Sequence, residues 1–211
     1  MARDGTETRA RLLAEAESQF AEVGIWQAAM GDIVRAAGQR NASALTYHFG
    51  SREGVLDAIL AEHGNPIDAH RGEMLSMVHH DPDAPTDIRP LVSALVRPMT
   101  IALTDSRGRR YVRIVAQLSD RFPAWQDVPE GVDQIHLTDA LVRLEARADG
   151  PDGSIRTARL VAMIRLMTSS LAARAVVLDS GTAPTLDDRA YEGDLIDVLV
   201  GVLTATSTLA A

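Results

Sequence analysis

Several residue types are absent or scarce in this chain of 211 residues, and each absence removes a class of function. There is no cysteine, which excludes disulfides, thiolate metal sites and cysteine nucleophiles. Lysine is also absent, so all 21 strongly basic side chains are arginines. Aromatic residues make up only 4% of the chain, so a core must be built mostly from Leu, Val, Ala, Ile and Met.

Long apolar segments are missing as well. No apolar run approaches the roughly 18 residues that would span a membrane. The N-terminal segment MARDGTETRA is polar and lacks the apolar centre of a secretory signal, so we expect a cytoplasmic protein. The hydrophobic fraction of 46% and the charged fraction of 24% are ordinary for a globular protein of one large domain or of a small and a larger one.

Positive charge is in short supply. The net charge of −8 counts against nonspecific binding to polyanions. Even residues 1–63 carry six arginines against nine aspartates and glutamates. Any DNA binding would therefore depend on a few well-placed arginines, which fits a dimer that makes few phosphate contacts and needs a specific site.

The most informative stretch runs from Ala28 to Glu53. It predicts a helix, a tight turn, a second helix of about two turns and the start of a third. Gly38 follows the last apolar position of the first helix, where a left-handed residue can end it. Asn41 or Ser43 can cap the second helix, and Ser51 can cap the third.

The short second helix has one apolar face. Ala42, Leu45 and Phe49 recur at i, i+3 and i+7, so we expect them to face inward. A helix whose other face carries guanidinium, hydroxyl, methyl and phenol groups suits a DNA major groove, although a solvated three-helix structure has the same pattern. The residues predicted to point outward are Arg40, Ser43, Ala44 and Tyr47, with Thr46 and His48 on the flanks.

From about Thr8 to Leu60 the chain resembles the DNA-binding headpiece of TetR-family transcriptional regulators. The matching pieces are TRARLLAEAESQFAEVG, DIVRAAG and YHFGSREGVL, in the order and spacing of that family. The resemblance implies an all-α fold, with an N-terminal three-helix helix-turn-helix headpiece followed by a helical bundle for ligand binding and dimerisation. It places the DNA-binding domain at residues 1–50 and the helical ligand-binding and dimerisation domain at residues 51–211.

Some positions depart from the usual pattern of that family. Ala28 and Ala29 stand where a capping Ser or Thr is common, and they leave the first helix of this stretch, which is the second helix of the family's headpiece, without a side-chain cap. Thr46 stands where a Tyr is usual, and Arg52 replaces the usual Lys. The candidate DNA-binding residues are Arg40, Asn41, Ser43, Ala44, Thr46, Tyr47, His48 and Arg52.

The rest of the chain also predicts helices. Residues 1–5 are expected to form a loose arm before a helix capped by Thr6 or Thr8. The run Gly64-Asn65-Pro66 predicts a kink or break in the helix that follows Ser51. Further helical runs are predicted at 88–103, 109–118, 132–148, 155–178 and 195–203.

The last two of these runs are strongly apolar. The segment LIDVLVGVL at 195–203 is apolar on more than one side, so it is expected to be buried on more than one side. TetR-like proteins pair their last two helices with those of a second subunit in a four-helix bundle, and the resemblance therefore implies a homodimer. Burial inside a monomer is the alternative.

Catalytic and metal-binding patterns are weak in this chain. Two neighbouring histidines in His79-His80-Asp81 would point about 100° apart on a helix, and no second cluster has ligand spacing. There is no phosphate-binding glycine loop and no Gly-x-Ser-x-Gly motif. We therefore expect a protein without enzymatic activity, metal or cofactor.

An apolar pocket for a small molecule fits the composition of the body better. Methionine and aromatic side chains between helices can form an adaptable cavity, although methionine at helical spacing is more often plain core. His70, His136 and Arg165 are candidate polar anchors. The candidate lining residues are Met74, Met77, Met99, Tyr111, Trp125, Met163 and Met167.

Together these features predict a ligand-responsive, sequence-specific regulator that binds double-stranded operator DNA, a repressor released from a near-palindromic operator by a largely apolar effector. One alternative is a helical small-molecule-binding protein or enzyme with a vestigial headpiece, which would have no sequence-specific affinity for DNA. Another is a constitutive DNA-binding protein whose body serves only to dimerise.

Overall fold

The computed structural model describes residues 2–41, 43–78, 87–119 and 131–206, and this part of the chain contains helices and no strands. The expected all-α fold is confirmed. The nine helices of the described residues are α1 (Ala2–Glu22), α2 (Met30–Ala36), α3 (Ala44–Phe49), α4 (Arg52–Ser76), α5 (Arg89–Ala102), α6 (Ser106–Leu118), α7 (Ile135–Glu145), α8 (Gly153–Asp179) and α9 (Asp188–Thr204).

The first three helices share an apolar core with the start of α4. Phe20 of α1, Ile33 of α2 and Val55 of α4 are fully buried, and Leu45 of α3 is nearly so. Burial of these side chains is the main force that assembles such short helices, because α2 and α3 are too short to be stable alone. The core therefore decides which face of α3 remains at the surface.

The turn between α2 and α3 forms largely as its residues predict. Gly38 has a positive φ of 71°, and the N–H of Gln39 bonds to the carbonyl of Val34 at 3.0 Å, which is the Schellman arrangement. The side-chain Oδ1 of Asn41 then accepts the backbone N–H of Ser43 at 2.9 Å. Ser43 makes no side-chain cap bond of its own, so Asn41 is the residue that stabilises the start of α3.

The expected start of the first helix is wrong. α1 already includes Ala2, so residues 2–5 are helical and do not form a loose arm, and neither Thr6 nor Thr8 lies at its end. The predicted cap of α4 is confirmed, because the side chain of Ser51 accepts the N–H of Gly54 at 3.2 Å.

The predicted break at Pro66 is also wrong, since α4 continues through it as one helix of 25 residues. Proline removes one backbone hydrogen bond from a helix, but tertiary contacts can offset that loss. Here the neighbouring Asn65 donates to the carbonyl of Gly131 at 3.1 Å and accepts the N–H of Asp133 at 2.8 Å. These bonds fix the middle of α4 against the segment that leads into α7.

The body packs five further helices around a core that includes the centre of α5. Leu95, Ile114, Leu141, Met163 and Leu199 come from α5 to α9 in turn, and all are fully buried. The predicted helical runs are confirmed in the described residues. α9 begins earlier than expected, at Asp188, because its first turn is polar and was not part of the apolar run. The side chain of Asp187 caps this turn by accepting the N–H of Ala190.

By length and composition alone, α8 could cross a membrane, whereas the sequence predicted no segment long and apolar enough to do so. The core helix of a soluble protein meets the same two criteria. Met163 and Leu171 of α8 are fully buried against neighbouring helices. Its Arg174 is also buried, with one nitrogen bonded to the carbonyl of Leu186 and another to Asp188 at 2.7 Å. These contacts are those of a core helix.

A buried carboxylate joins the N-terminal helices to the body. Glu17 of α1 is fully buried, accepts from Nε of Arg107 on α6 at 2.9 Å, and lies 3.0 Å from Nε2 of His63 on α4. Arg107 also bonds to Glu62 at 2.7 Å. Burial by itself raises the pKa of Glu17, but the hydrogen bonds with His63 and Arg107 outweigh it and leave that pKa below its ordinary value.

An amide provides a second connection between the same two parts. Nε2 of Gln117 on α6 donates to the carbonyl of Phe20 at 2.8 Å, and its Oε1 accepts the N–H of Ile25 at 2.9 Å. The end of α1 and the loop that follows it are therefore attached to α6 by a neutral pair of hydrogen bonds as well as by the Glu17 ion pair.

Replacing Glu17 with Gln is expected to lower the free energy of unfolding by roughly 1–3 kcal/mol at pH 7, because the charge-assisted hydrogen bonds are lost. The folded-state pKa of Glu17 is depressed, so its charge stabilises the fold above the unfolded pKa of about 4.5, and this contribution is lost as the pH falls through the folded pKa. The difference in the free energy of unfolding between wild type and Glu17→Gln should therefore become smaller when the pH is lowered to 3.

Urea unfolding at fixed protein concentration and a series of pH values measures this difference. Glu7→Gln, at an exposed position of the same helix, is the matched control and should have little effect. A difference of the same size at pH 3 and pH 7 would show that the charge of Glu17 does not provide the stabilisation.

Candidate functional site

The exposed face of α3 presents several of the predicted polar groups. Tyr47 is 84% exposed, and Thr46 beside it is also exposed. The half-buried ring of His48 meets the ring of Tyr47 edge-on, with 5.0 Å between the ring centroids. Phenol, hydroxyl and imidazole groups therefore lie together on one short helix, where they can donate to phosphates or base edges.

The predicted outward direction of Ala44 is wrong. Its side chain is only 8% exposed and belongs to the core of the first three helices, as does that of Leu45. The prediction assumed an inward-facing Ala42, which lies outside the described residues. Since α3 begins at Ala44, its first turn packs inward and its outer face starts with Thr46 and Tyr47.

The turn before α3 carries the remaining candidates. Arg40, Asn41 and Ser43 are all exposed. On the adjacent surface, the guanidinium of Arg9 lies 4.8 Å from the centroid of the Phe49 ring, which gives α1 a cation–π contact with the end of α3. Arg40 in the turn and Arg9 beside the end of α3 thus provide positive charge next to a surface that otherwise carries mostly neutral polar groups.

The side chain of Arg52 is half-buried against the loop that joins α1 and α2. Its NH1 donates to the carbonyls of Ile25 and Ala28 at 2.6 and 2.7 Å, and its guanidinium lies 5.9 Å from the centroid of the Phe20 ring. These bonds hold the loop between α1 and α2 against the start of α4. A phosphate contact by Arg52 stays a prediction. Such a contact would have to be made by the N–H groups of Arg52 that do not bond to these two carbonyls.

A cavity of about 410 Å³ lies in the body between α4, α5, α6, α7 and α8. Three of the predicted residues line it, namely Met99, Tyr111 and Met167. Its volume falls within the range of roughly 300–1,000 Å³ that is usual for small-molecule sites. Most of its wall is apolar, as expected for a pocket in a helical bundle.

Other predicted lining residues lie elsewhere. Met163 is fully buried in the core, Met74 packs against that core, and Met77 is 70% exposed, and none of them lines this cavity. Trp125, like the sequence His79-His80-Asp81, lies outside the described residues. The candidate anchors His70, His136 and Arg165 are not among the lining residues either.

The polar wall of the cavity contains a buried ion pair that sequence reasoning missed. Asp68 and Arg71, both on α4, are buried and paired at 2.6 Å. Asp68 also accepts the backbone N–H groups of His136 and Leu137 at 3.0 and 2.8 Å, so it caps α7 from a different helix. The i,i+3 spacing of two opposite charges on α4 was the available signal.

Tyr111 connects this cavity to the link between α1 and the body. Burial raises the pKa of Tyr111 to about 12, so its hydroxyl stays neutral at physiological pH. Its ring stacks on His63 with 5.1 Å between centroids, and His63 contacts Glu17 of α1. Tyr111, which lines the cavity, is therefore connected to α1 through one intervening residue, His63.

The ligand atoms of Glu17, Glu62 and His63 lie within 4.8 Å of one another, close enough to hold a metal ion. However, the guanidinium of Arg107 already bonds both carboxylates. A cation between them would be repelled by Arg107 and would have to displace it. We therefore interpret this cluster as a structural ion-pair network.

Comparisons with known proteins agree with this description. Residues 12–59 match the sequence model of the family described as bacterial regulatory proteins, tetR family. This range contains the second half of α1, all of α2, the turn, α3 and the start of α4. No curated protein sequence matches the chain.

Two solved structures have the same fold over nearly the whole chain. A tetR family transcription regulator from Shewanella sp. PV-4 is 13% identical, with 94% of this chain and 99% of that chain covered and a TM-score of 0.55. NalD, the secondary repressor of the MexAB-OprM multidrug efflux pump in Pseudomonas aeruginosa, is 16% identical, with 97% and 100% covered and a TM-score of 0.53. Likeness at these identities establishes the fold alone.

The family match covers the N-terminal helix-turn-helix domain, residues 12–59, and assigns this domain to the TetR family of bacterial regulatory proteins.

Proposed function

We propose that this protein is a homodimeric, cytoplasmic repressor that leaves a near-palindromic operator when a small, largely apolar molecule binds in its helical body. The observation that carries this proposal is the continuity of α4. Its first residue, Arg52, bonds to the loop between α1 and α2, and its later residues from Leu56 to Arg71 contribute to the cavity wall.

A ligand can release DNA only by binding one arrangement of the headpiece more tightly than another. Because α4 is one helix from the headpiece to the cavity, a shift of its middle is passed on to its first turn. The stacked pair Tyr111 and His63 supports a second connection, since His63 contacts Glu17 of α1. These contacts support the segment from Gly54 to Asn65 as the lever between the two domains.

For the DNA contacts we propose the turn before α3 and its exposed face, with Arg52 as a phosphate ligand through its remaining N–H groups. The division into domains at residues 1–50 and 51–211 is proposed on the same basis. The proposed operator contacts are Arg40, Asn41, Ser43, Thr46, Tyr47 and His48.

For the dimer we propose the outer faces of α8 and α9. Leu166 and Val176 of α8 and Val198 of α9 are 39%, 51% and 44% exposed. A methyl group added at Gly193 or Gly201 of α9 would meet no described atom within 4 Å other than the backbone of α9 itself, so a second helix has room to approach closely. The exposed small and apolar residues of α8 are Ala158, Ala162, Leu166, Ala173 and Val176.

Replacing Arg40 with Ala is expected to weaken operator binding by about 1–3 kcal/mol, since a guanidinium contact with guanine or phosphate is lost. Replacing Tyr47 with Phe removes one hydroxyl and should cost about 0.5–1.5 kcal/mol. Fluorescence anisotropy with fragments from upstream of its own and neighbouring genes, across a salt series, measures both. Arg143→Ala is the matched control, because Arg143 lies on α7 and pairs with Asp139.

The wild type should bind one near-palindromic fragment tightly, lose affinity as salt is raised and still bind far more tightly than to random DNA. Equal, weak binding to every fragment would favour a ligand-binding protein with a vestigial headpiece. Unchanged operator affinity in both variants would remove Arg40 and Tyr47 from the interface.

Replacing Ala173 with Arg is expected to convert the dimer to a monomer, because a long charged side chain would be buried in the centre of the proposed interface without a partner. Light scattering at micromolar concentration measures the mass. Ala146→Arg, at an exposed position where α7 ends, introduces the same side chain elsewhere and should leave the dimer intact. A monodisperse wild-type monomer, or a dimer of Ala173→Arg, would contradict the proposal.

A further inference from the structure

We propose that the cavity takes a neutral, largely apolar compound with one hydrogen-bond acceptor, such as a ketone oxygen, and that Arg71 donates to this acceptor. The inference specifies the chemical class of the effector and rests on the proposed function. It begins from Arg71, the one strongly basic side chain among the described residues that line the cavity.

The side chain of Arg71 is buried, and its pairing is incomplete. One terminal nitrogen bonds to Asp68 at 2.6 Å, whereas Nε is buried and has no hydrogen-bond partner in the part of the chain that the structure describes. A buried N–H without an acceptor is unfavourable, and hydrogen bonds from charged donors are stronger than neutral ones. Arg71 itself lines the cavity, so an acceptor there would satisfy the guanidinium once a small rotation of the side chain turns Nε toward it.

The charges around Arg71 favour a neutral acceptor over an anion. Asp68 already compensates the positive charge of Arg71, so a second negative charge would gain little. Glu53 and Asp57 also line the cavity, and burial together with the charge of Glu53 raises the pKa of Asp57. A carboxylate ligand would meet these acidic groups, and a cationic ligand would leave the Nε of Arg71 without an acceptor.

The other hydrogen-bond donors among the lining residues are uncharged, namely the side chains of Trp26, Tyr111, Ser119, Gln134 and Thr168, and charged donors form the stronger bonds. The hydroxyl of Thr168 donates to the carbonyl of Ile164 in its own helix at 3.0 Å. The remaining surface is largely aliphatic, which suits an apolar ligand body. Its aliphatic residues include Leu56, Leu60, Leu95, Leu137, Leu141 and Ile164.

Four probes of the same shape test the proposal, because all carry a three-atom branch at position 2 of naphthalene. They are 2-acetylnaphthalene, 2-isopropylnaphthalene, 2-naphthoate and 1-(2-naphthyl)ethylammonium. Binding is measured by calorimetry on the full-length protein at pH 7.5. We expect the ketone to bind about tenfold more tightly than the hydrocarbon, because it gains one charge-assisted hydrogen bond. Both ionic probes should bind more weakly than the ketone.

Variants at Arg71 show whether that side chain causes the preference. Arg71→Lys keeps a cation for Asp68 but lacks Nε–H, so it should bind the ketone and the hydrocarbon equally. The double variant Asp68→Asn with Arg71→Met removes the ion pair without leaving a buried unpaired charge and should also lose the preference. Arg174→Lys is the matched control and should keep the preference, since Arg174 is also buried with an unpartnered Nε but is not among the residues that line the cavity.

The proposal is overturned if wild type does not discriminate between ketone and hydrocarbon, if Arg71→Lys keeps the preference, if an ionic probe binds most tightly, or if no probe binds. Release of operator DNA by the same probes is measured separately. A ketone that binds through Arg71 but leaves the operator complex intact would contradict the proposed function and leave the ligand class standing.

Discussion

The buried carboxylate of Glu17 is the interaction on which the arrangement of the two parts depends. A charge inside a protein must be paired, because transfer from water to a medium of low polarity is costly. Its partners come from two other helices, Arg107 from α6 and His63 from α4. The three helices therefore have to meet at one point. The amide of Gln117, bonded to the loop after α1, reinforces the same contact without charge.

The same network lies next to the cavity. His63 stacks on Tyr111, which lines the cavity, and α4 continues from the headpiece to the buried pair of Asp68 and Arg71. Contiguous contacts and one continuous helix therefore connect the cavity wall to the headpiece. Under the proposed function this connection would matter, because a ligand that prefers one position of α4 also selects one position of the headpiece.

Much of the candidate site could be predicted from local pattern, and the failures have physical causes. Gly38 and Asn41 behave as turn residues, and Tyr47 is exposed, because these properties depend on neighbours in the sequence. The direction of Ala44 depended on where a six-residue helix begins, which its packing against α2 decides. The methionines were distinguishable only in three dimensions: Met99 lines the cavity, whereas the chemically identical Met163 lies in the core.

By itself, the sequence determined the helical class, the turn after Gly38, the family of the first domain and the absence of cysteine chemistry, because these follow from composition, short-range periodicity and local motifs. The tertiary structure alone decided that α4 runs through Pro66 and that Asp68 caps a helix 67 residues further along the chain, where Ile135 begins α7. It also decided that Arg71 lies at a cavity wall. These features depend on contacts between residues far apart in the chain, and such contacts leave no periodic signal in the sequence.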